Sequence, residues 1–298
     1  MSKHNTLLAS LVAIAAASSP AVAETKLTAT VYTASPGGFL VNSTLVAGDK
    51  DAVLIDGQFT LSDAHRLVAM IMESKKNLTT VYVTHFHPDH YFGLTVIKQA
   101  FPKAKLVATP ETIKDIKKTW AKKLAQWGPM YGALVPKTPI VPAPLPAKGL
   151  TLEGQTLEVK ANVMGDSADN SYVWIPATKT VIAGDIVFNG VHPWTAESSP
   201  ETRKAWIKTL DEISALKPTT VVAGHKDPKL PDDAASLKAT REYLEAFDAA
   251  VASSKTAAEV KDKLTKKYGS LQLPIILEIG AGAAFPAPAT GPATPTKK

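Results

Sequence analysis

The chain has 298 residues, of which 45% are hydrophobic and 20% are charged, and its formal net charge is +6. This composition describes a globular protein with a large core, while the absence of cysteine excludes disulfide bonds and thiolate metal ligands. No apolar run reaches the roughly 18 residues of a membrane helix, and no basic stripe with interleaved aromatics is present, so we expect neither an integral membrane protein nor a nucleic-acid-binding one.

The first 23 residues have the pattern of a cleaved secretory signal. Lys3 precedes a short apolar run, and Ala21-Val22-Ala23 supplies the small residues that a signal peptidase requires. We predict cleavage after Ala23, a mature chain that begins at Glu24, and a periplasmic or secreted location.

Strand and helix patterns then alternate along the chain. The predicted strands are residues 27–32, 39–46, 52–56, 78–84, 106–108 and 221–225, and residues 150–163 and 171–183 are predicted to form hairpin-rich sheet with strands at 150–152, 156–159, 172–175 and 180–183. The predicted helices are 62–75, 93–100, 111–127, one that begins at Ser199, 232–250 and 256–268. Residues 128–146 are predicted to be looser because they carry several prolines. Residues 24–283 are expected to form one α/β domain, and the Pro/Ala/Thr-rich residues 284–298 are expected to be disordered.

The strand predicted over 78–84 leads into a segment that can bind a metal. Its four candidate ligands are His85, His87, Asp89 and His90. The first two lie two positions apart and point to the same face of an extended segment. Pro88 prevents further strand pairing, so the segment bends and the last two side chains can turn back. Neutral imidazoles with a carboxylate suit one or two zinc ions (Zn2+), with iron and manganese as alternatives.

This segment resembles the His-x-His-x-Asp-His signature of the metallo-β-lactamase fold superfamily. The resemblance implies a four-layer αββα sandwich with one or two metal ions at the edge between its halves. Ala183-Gly184-Asp185 resembles the family element whose aspartate bridges two metals, and Gly224-His225 resembles its closing ligand. Asp56 ends a predicted buried strand, at a position that supports the metal loop in the family. The alternative is an ordinary turn or capping aspartate.

The sequence departs from the family pattern at Gly165-Asp166-Ser167. The family usually has Gly-His-Thr-Pro-Gly-Ser there, and its histidine is a ligand of the first metal. A carboxylate can also ligate zinc, at about 2.0–2.2 Å. Asp166 therefore either replaces the imidazole, which we favour, or lies outside the ligand shell. By resemblance, the first metal takes His85, His87 and Asp166, the second takes Asp89, His90 and His225, and Asp185 bridges both.

Aromatic residues after the motif indicate a partly apolar substrate. In the family, the region between the first motif and the next ligand often carries segments that cover the substrate. The predicted substrate contacts are Trp127, Met130, Tyr131, His192 and Trp194. The alternative for Trp120 and Trp127 is an ordinary place in the core, and we favour it for Trp120.

Together these features predict an exported metal-dependent hydrolase of a small molecule with a hydrolysable carbonyl. A metal-bound hydroxide would attack a lactone, an ester or a β-lactam-like amide, and Asp89 would orient the nucleophile or carry a proton. True metallo-β-lactamases generally carry Cys or Ser where this chain has Asp185. In having a bridging aspartate at this position, the chain more closely resembles lactonases and glyoxalase II. Two alternatives remain, namely an iron-dependent persulfide dioxygenase and a noncatalytic metal-binding protein.

Overall fold

The computed structural model describes residues 26–285. The predicted signal at 1–23 and all but the first two residues of the predicted tail at 284–298 lie outside this range. None of the helices within it is long and apolar enough to cross a membrane.

The first half of the fold is a six-stranded sheet with three helices. Its strands, in their order across the sheet, are β1 (Thr28–Thr33), β2 (Asn42–Ala47), β3 (Asp51–Ile55), β4 (Asn77–Val83), β5 (Lys105–Ala108) and β6 (Ala143–Pro144). The first three strands pair antiparallel, and β3 to β6 run parallel. The helices are α1 (Leu61–Glu73), α2 (Leu94–Ala100) and α3 (Pro110–Tyr131).

The second half contains a five-stranded sheet and four helices. In chain order, the seven strands of this half are β7 (Leu150–Leu152), β8 (Gln155–Val163), β9 (Asn170–Ile175), β10 (Thr180–Ile182), β11 (Phe188–Asn189), β12 (Thr220–Val222) and β13 (His225–Lys226). The sheet order is β12-β10-β9-β8-β7, and β11 pairs separately with β13. The helices are α4 (Pro200–Ala215), α5 (Ala235–Ala252), α6 (Ala257–Tyr268) and α7 (Pro274–Ala284).

Four of these helices begin at a residue whose hydroxyl caps the first turn. The caps are Thr60, Thr109, Ser199 and Thr256, and each accepts a bond from a backbone N–H three residues later. Such a cap typically stabilises a helix by about 1 kcal/mol, because it satisfies a donor that has no partner inside the helix. The predicted start of α4 at Ser199 is confirmed, and the backbone N–H of Ser199 donates a reciprocal bond to the hydroxyl oxygen of Thr202.

Successive side chains of each strand point to opposite faces of the sheet, and this alternation divides the core into layers. In β3, Ala52 and Leu54 pack with the helices of the first half, whereas Val53 and Ile55 pack against the second sheet. The other face of the second sheet packs on α4 and α5, where Trp206 is fully buried. The order of layers is therefore α, β, β, α, which confirms the predicted four-layer αββα sandwich.

Two helix predictions were wrong. Helix α3 continues through Pro129 to Tyr131, where the sequence indicated a looser segment from Gly128 onward. A third C-terminal helix, α7, follows the two that were predicted, and it packs with α5 and α6 around a separate apolar cluster. Ile276 of α7 lines a cavity at the edge of the two sheets, and Tyr243 of α5 contacts His192, another residue that lines it.

Candidate metal centre

The predicted ligands meet at one edge of the two sheets, where several strands end. The His-rich segment follows β4, Asp185 follows β10, and His225 follows β12. Gly224 allows the last two to approach, because a Cβ at this position would overlap Oδ1 of Asp185. Asp166 reaches the same point from the loop between β8 and β9, where its backbone N–H donates to the carbonyl of Asp185 at 3.1 Å.

The structure arranges the seven predicted ligands in two clusters. The first contains His85, His87, Asp166 and Asp185, and the second contains Asp89, His90, Asp185 and His225. Within each cluster, one potential ligand atom of every residue lies within 4.8 Å of the others. Asp185 belongs to both clusters, as expected of a residue placed to bridge two ions.

Several atoms that face the clusters lack well-aligned hydrogen bonds. Nε2 of His85, Nε2 of His90 and Oδ1 of Asp185 are buried and unsatisfied, although His90 Nε2 and Asp185 Oδ1 lie only 3.1 Å apart. Leaving such an atom unpaired costs about 1–3 kcal/mol, and a metal ion would satisfy all of them together. Imidazole nitrogens and carboxylate oxygens form a donor set that fits zinc, and iron and manganese as well.

The outward-facing nitrogens of two histidines are held by fixed acceptors. Nδ1 of His90 donates to Oδ2 of Asp56 at 2.8 Å, and Nδ1 of His225 donates to the carbonyl of Phe39 at 2.6 Å. Because carboxylates and carbonyls can only accept, these bonds leave Nε2 of each neutral ring free to bind a metal. Asp56 also accepts bonds from the backbone and hydroxyl of Thr84. The structure thus places Asp56 behind the metal loop, in the supporting position suggested by the family resemblance.

Asp166 lies in the first cluster, where the family pattern has a histidine. Its Oδ1 accepts bonds from Asn170 Nδ2 at 3.1 Å and from the Ser167 hydroxyl at 3.2 Å. Its Oδ2 lies 2.8 Å from Nδ1 of His87, within the cluster. One oxygen is therefore fixed by the loop while the other faces the centre, which is the arrangement expected of a direct ligand.

Burial and neighbouring charges both shift the pKa values of the cluster residues, and for His87 and Asp185 they act in opposite directions. Burial lowers the pKa of His85, and the neighbouring His90 lowers it further. Burial also lowers the pKa of His87, but Asp166 outweighs it and raises that pKa to about 10. Burial raises the pKa of Asp185, but His225 and His90 outweigh it and hold the pKa well below its usual range. Asp185 therefore stays ionised, as a shared metal ligand must.

Glu197 also approaches the centre, although the sequence analysis did not identify it. It precedes α4, and its Oε2 lies 3.4 Å from Nε2 of His87. Its Oε1 accepts a bond from Nζ of Lys123 in α3 at 2.6 Å. Burial raises the pKa of Glu197, but His87 and Lys123 outweigh it and hold the pKa well below its usual range. Glu197 therefore places a negative charge beside the outward nitrogen of His87, and no spacing in the sequence relates the two residues.

We expect Glu197→Gln to weaken zinc binding at the first cluster by about 10–100-fold, the usual effect of losing an outer partner of a ligating histidine. Glutamine keeps the shape but removes the charge that faces His87. Competition with a chromophoric chelator measures the zinc dissociation constant. The matched control is Glu201→Gln, in the exposed first turn of α4, which should bind zinc as the wild type does. Equal zinc affinity in the two variants would contradict the role of Glu197.

The two clusters lie at the floor of a cavity of about 520 Å³, including its open mouth. Its walls are mainly apolar and aromatic, with Phe39, Phe59, Trp127, Phe188, Trp194 and Ile276 among the lining residues. Among the described residues that line it, Lys123 is the only lysine or arginine, and its ammonium is paired with Glu197. The described walls of the cavity are thus mainly apolar, and they carry no lysine or arginine that is free of an ion pair.

The five predicted substrate contacts have different positions relative to this cavity. Trp127, His192 and Trp194 line it. Tyr131 packs edge-on against Phe59, with ring centroids 4.7 Å apart, and supports the wall from behind. Met130 is not among the residues that line the cavity, and in the last turn of α3 it is 75% exposed to solvent.

Comparison with known proteins agrees with this architecture. The model of the metallo-β-lactamase superfamily matches residues 36–225. A metallo-β-lactamase family protein from Thermus thermophilus has a TM-score of 0.60 and 19% identity, over 87% of this chain and 91% of that one. The DIM-1 metallo-β-lactamase has a TM-score of 0.54 and 21% identity, over 76% of this chain and 95% of that one.

A metallo-β-lactamase from Pontibacter korlensis has a TM-score of 0.53 and 20% identity, over 74% of this chain and 99% of its own. At these identities the structural likenesses show the fold alone. Comparison with curated proteins gave no match. The family match spans both ligand clusters, whose seven residues the structure brings together at the sheet edge. The chain therefore belongs to the metallo-β-lactamase superfamily, whose members are generally metal-dependent hydrolases.

Proposed function

We propose that this protein is a zinc-dependent hydrolase of neutral, apolar lactones or esters. The observation that carries the proposal is the pair of clusters that share Asp185 at the floor of an apolar cavity. When bound, zinc ions supply Lewis acidity and lower the pKa of water from about 15.7 toward about 7. The residues of the chain hold the ions, position the substrate and move the proton.

Hydrolysis joins the oxygen of water to the carbonyl carbon, breaks the bond from that carbon to the alkoxy oxygen, and transfers a proton to the departing oxygen. Asp89 is placed to handle this proton, because it lines the cavity and its Oδ2 lies 3.2 Å from Nε2 of His225. Burial raises the pKa of Asp89, but His90 and His225 outweigh it and hold the pKa far below its usual range. The ionised carboxylate orients water and relays its proton.

The walls of the cavity favour a neutral substrate over an anionic one. A carboxylate on the part of the substrate that packs against the walls, away from the metal ions, would lose its hydration against aromatic side chains and would need a cation there in return. Lys123 is already paired with Glu197, as described above. Lactones and esters with apolar substituents carry no charge, so they fit this cavity better than β-lactam-like amides that bear a carboxylate.

We further propose that the protein acts in the periplasm or is secreted. The short apolar run followed by Ala21-Val22-Ala23 supports a cleaved signal and a mature chain that begins at Glu24. N-terminal sequencing of protein from the periplasmic fraction tests this proposal, and a mature chain that retains Met1 would contradict it.

Hydrolysis should require bound metal and should prefer neutral substrates. We expect chelation to abolish turnover and zinc addition to restore it. Among aryl esters of equal length, the neutral ester should exceed its carboxylated counterpart in kcat/KM by about tenfold or more, since about 1.4 kcal/mol of uncompensated desolvation gives that ratio. Full turnover by metal-free protein would refute the hydrolase proposal. A preference for the carboxylated ester would refute the substrate class alone.

A further inference from the structure

His192 occupies a place in the cavity that the chemistry above does not use. It lies in the loop after β11, its side chain is buried, and it lines the same cavity as Asp89 and Asp185. Neither of the two clusters found among the described residues includes it. His192 is therefore a candidate for contact with the substrate and not with a metal ion.

The loop that carries His192 is held by the C-terminal helices. The backbone N–H of His192 donates to the carbonyl of Gln272 at 3.1 Å, and the N–H of Gln272 donates to the carbonyl of Gly190 at 2.9 Å. On the ring, Nδ1 lies 2.9 Å from the hydroxyl oxygen of Tyr243 in α5. A Cβ at Gly280 would overlap the hydroxyl of Thr195, so helix α7 packs closely on the same region. The position and orientation of the imidazole are thus fixed.

Tyr243 determines which nitrogen of His192 carries the proton. Its hydroxyl is buried, and within residues 26–285 its only hydrogen-bond partner is Nδ1 of His192. If Nδ1 carried the proton, the hydroxyl hydrogen would have no acceptor, which costs about 1–3 kcal/mol for a buried group. The favoured arrangement has the hydroxyl donating to Nδ1. The ring then carries its single proton on Nε2.

Nε2 is the other nitrogen of the His192 ring, and His192 lines the cavity. This nitrogen has no hydrogen-bond partner in the described part of the chain, and it is not fully buried. Burial lowers the pKa of His192 to about 4, so the ring is neutral near pH 7. A neutral imidazole in this tautomer presents one N–H donor to the substrate.

We propose that His192 is a catalytic residue that donates a hydrogen bond from Nε2–H to the carbonyl oxygen of the substrate, and that Tyr243 is its positioning residue. The inference rests on the proposed hydrolase function. The carbonyl oxygen gains negative charge as its carbon becomes tetrahedral, and a fixed donor within apolar walls stabilises this charge more than water does. The proton stays on His192 throughout, so no further proton acceptor is needed.

The test uses the full mature, zinc-loaded protein and an aryl ester that the wild type hydrolyses. We expect His192→Leu to lower kcat and kcat/KM equally, by about 10²–10³-fold, as for removal of one oxyanion donor. Zinc content should be unchanged. His192→Gln retains an N–H donor and should recover part of the rate. The matched control is His65→Leu on the exposed face of α1, which should leave rate and zinc content unchanged.

A second readout does not depend on turnover. Long-range ¹H–¹⁵N spectra of protein labelled at histidine distinguish the two neutral tautomers, with the His192 signals identified by their loss in His192→Gln. We expect the Nε2–H tautomer in the wild type and a growing Nδ1–H population in Tyr243→Phe, which removes only the hydroxyl. An Nδ1–H ring in the wild type would overturn the proposal, as would loss of zinc from His192→Leu.

The kinetic results also separate this inference from the proposed function. If the wild type hydrolyses no carbonyl substrate, the hydrolase proposal fails and the donor role fails with it. If the wild type is an active hydrolase and His192→Leu keeps kcat within about twofold, the donor role alone is overturned.

Discussion

Asp185→Asn is expected to lower the rate of hydrolysis by more than about 100-fold and to release metal from both clusters. This exceeds the roughly 10–100-fold effect of removing a residue that only hydrogen-bonds to a metal ligand. Asp185 is the residue that the clusters share. Its Oδ1 lies 3.1 Å from Nε2 of His90, and its Oδ2 lies 3.2 Å from Nε2 of His225 and 3.8 Å from Nε2 of His85. The neutral amide of asparagine removes the anionic charge that two cations would share.

Elemental analysis of the purified variant, together with its kcat on the preferred ester, measures both effects. A suitable control is Asp248→Asn, because Asp248 is also an ion-paired aspartate but contacts Arg203 outside the clusters. The control should keep its metal and its rate even if its stability falls. If Asp185→Asn binds one ion per cluster with wild-type affinity, Asp185 does not bridge the two sites.

The metal motif was predictable from the sequence because much of its geometry is local. His85 and His87 follow a strand, Pro88 bends the chain, and the next residues turn back within one short segment. The remaining ligands lie just beyond other strand ends or on a loop between strands, and strand ends at one edge of a sheet converge. Periodicity also revealed the buried strands, because alternating apolar residues fill separate layers of the sandwich.

The residues that surround the centre were harder to predict, because tertiary packing alone brings them there. Glu197 is far from His87 in sequence, and nothing in its own segment distinguishes it from a solvated glutamate. Phe39 supports His225 through a backbone carbonyl, which any residue could supply. Helix α7 contains Gly280 and Gly282, residues with low helix propensity, so its pattern gave no prediction. Gly280 is required by contact with Thr195, which the sequence does not reveal.

The C-terminal helices build part of the cavity from residues beyond the family match. The family match ends at residue 225, whereas Leu273 and Ile276 of the cavity wall and the Tyr243 partner of His192 come from later residues. The clusters therefore belong to the part of the chain that matches the family, while part of the cavity wall is built by segments beyond it. Substitutions in these helices should change substrate preference more than metal content.

The second large effect is expected at Asp166, where the sequence breaks the family pattern. Asp166→Ala should weaken binding of the first metal by more than about 100-fold, because it removes a ligand. Removing a residue that only hydrogen-bonds to a ligand weakens binding by at most about that factor. The second cluster does not contain Asp166 and should keep its ion. Asp166→His should retain both ions, since an imidazole nitrogen can take the place of the carboxylate oxygen.

The matched control for Asp166 is Asp169→Asn, which removes the same charge from the same loop without removing a cluster atom. Asn also tolerates the positive φ of 57° at this position. Loss of one metal equivalent from Asp166→Ala, but not from Asp169→Asn, separates direct ligation from the general effect of loop charge. Two equivalents bound by Asp166→Ala with wild-type affinity would exclude the ligand role. Oδ1 of Asp166 is already held by Asn170 and Ser167 while Oδ2 faces His87, so this geometry favours loss of the ion.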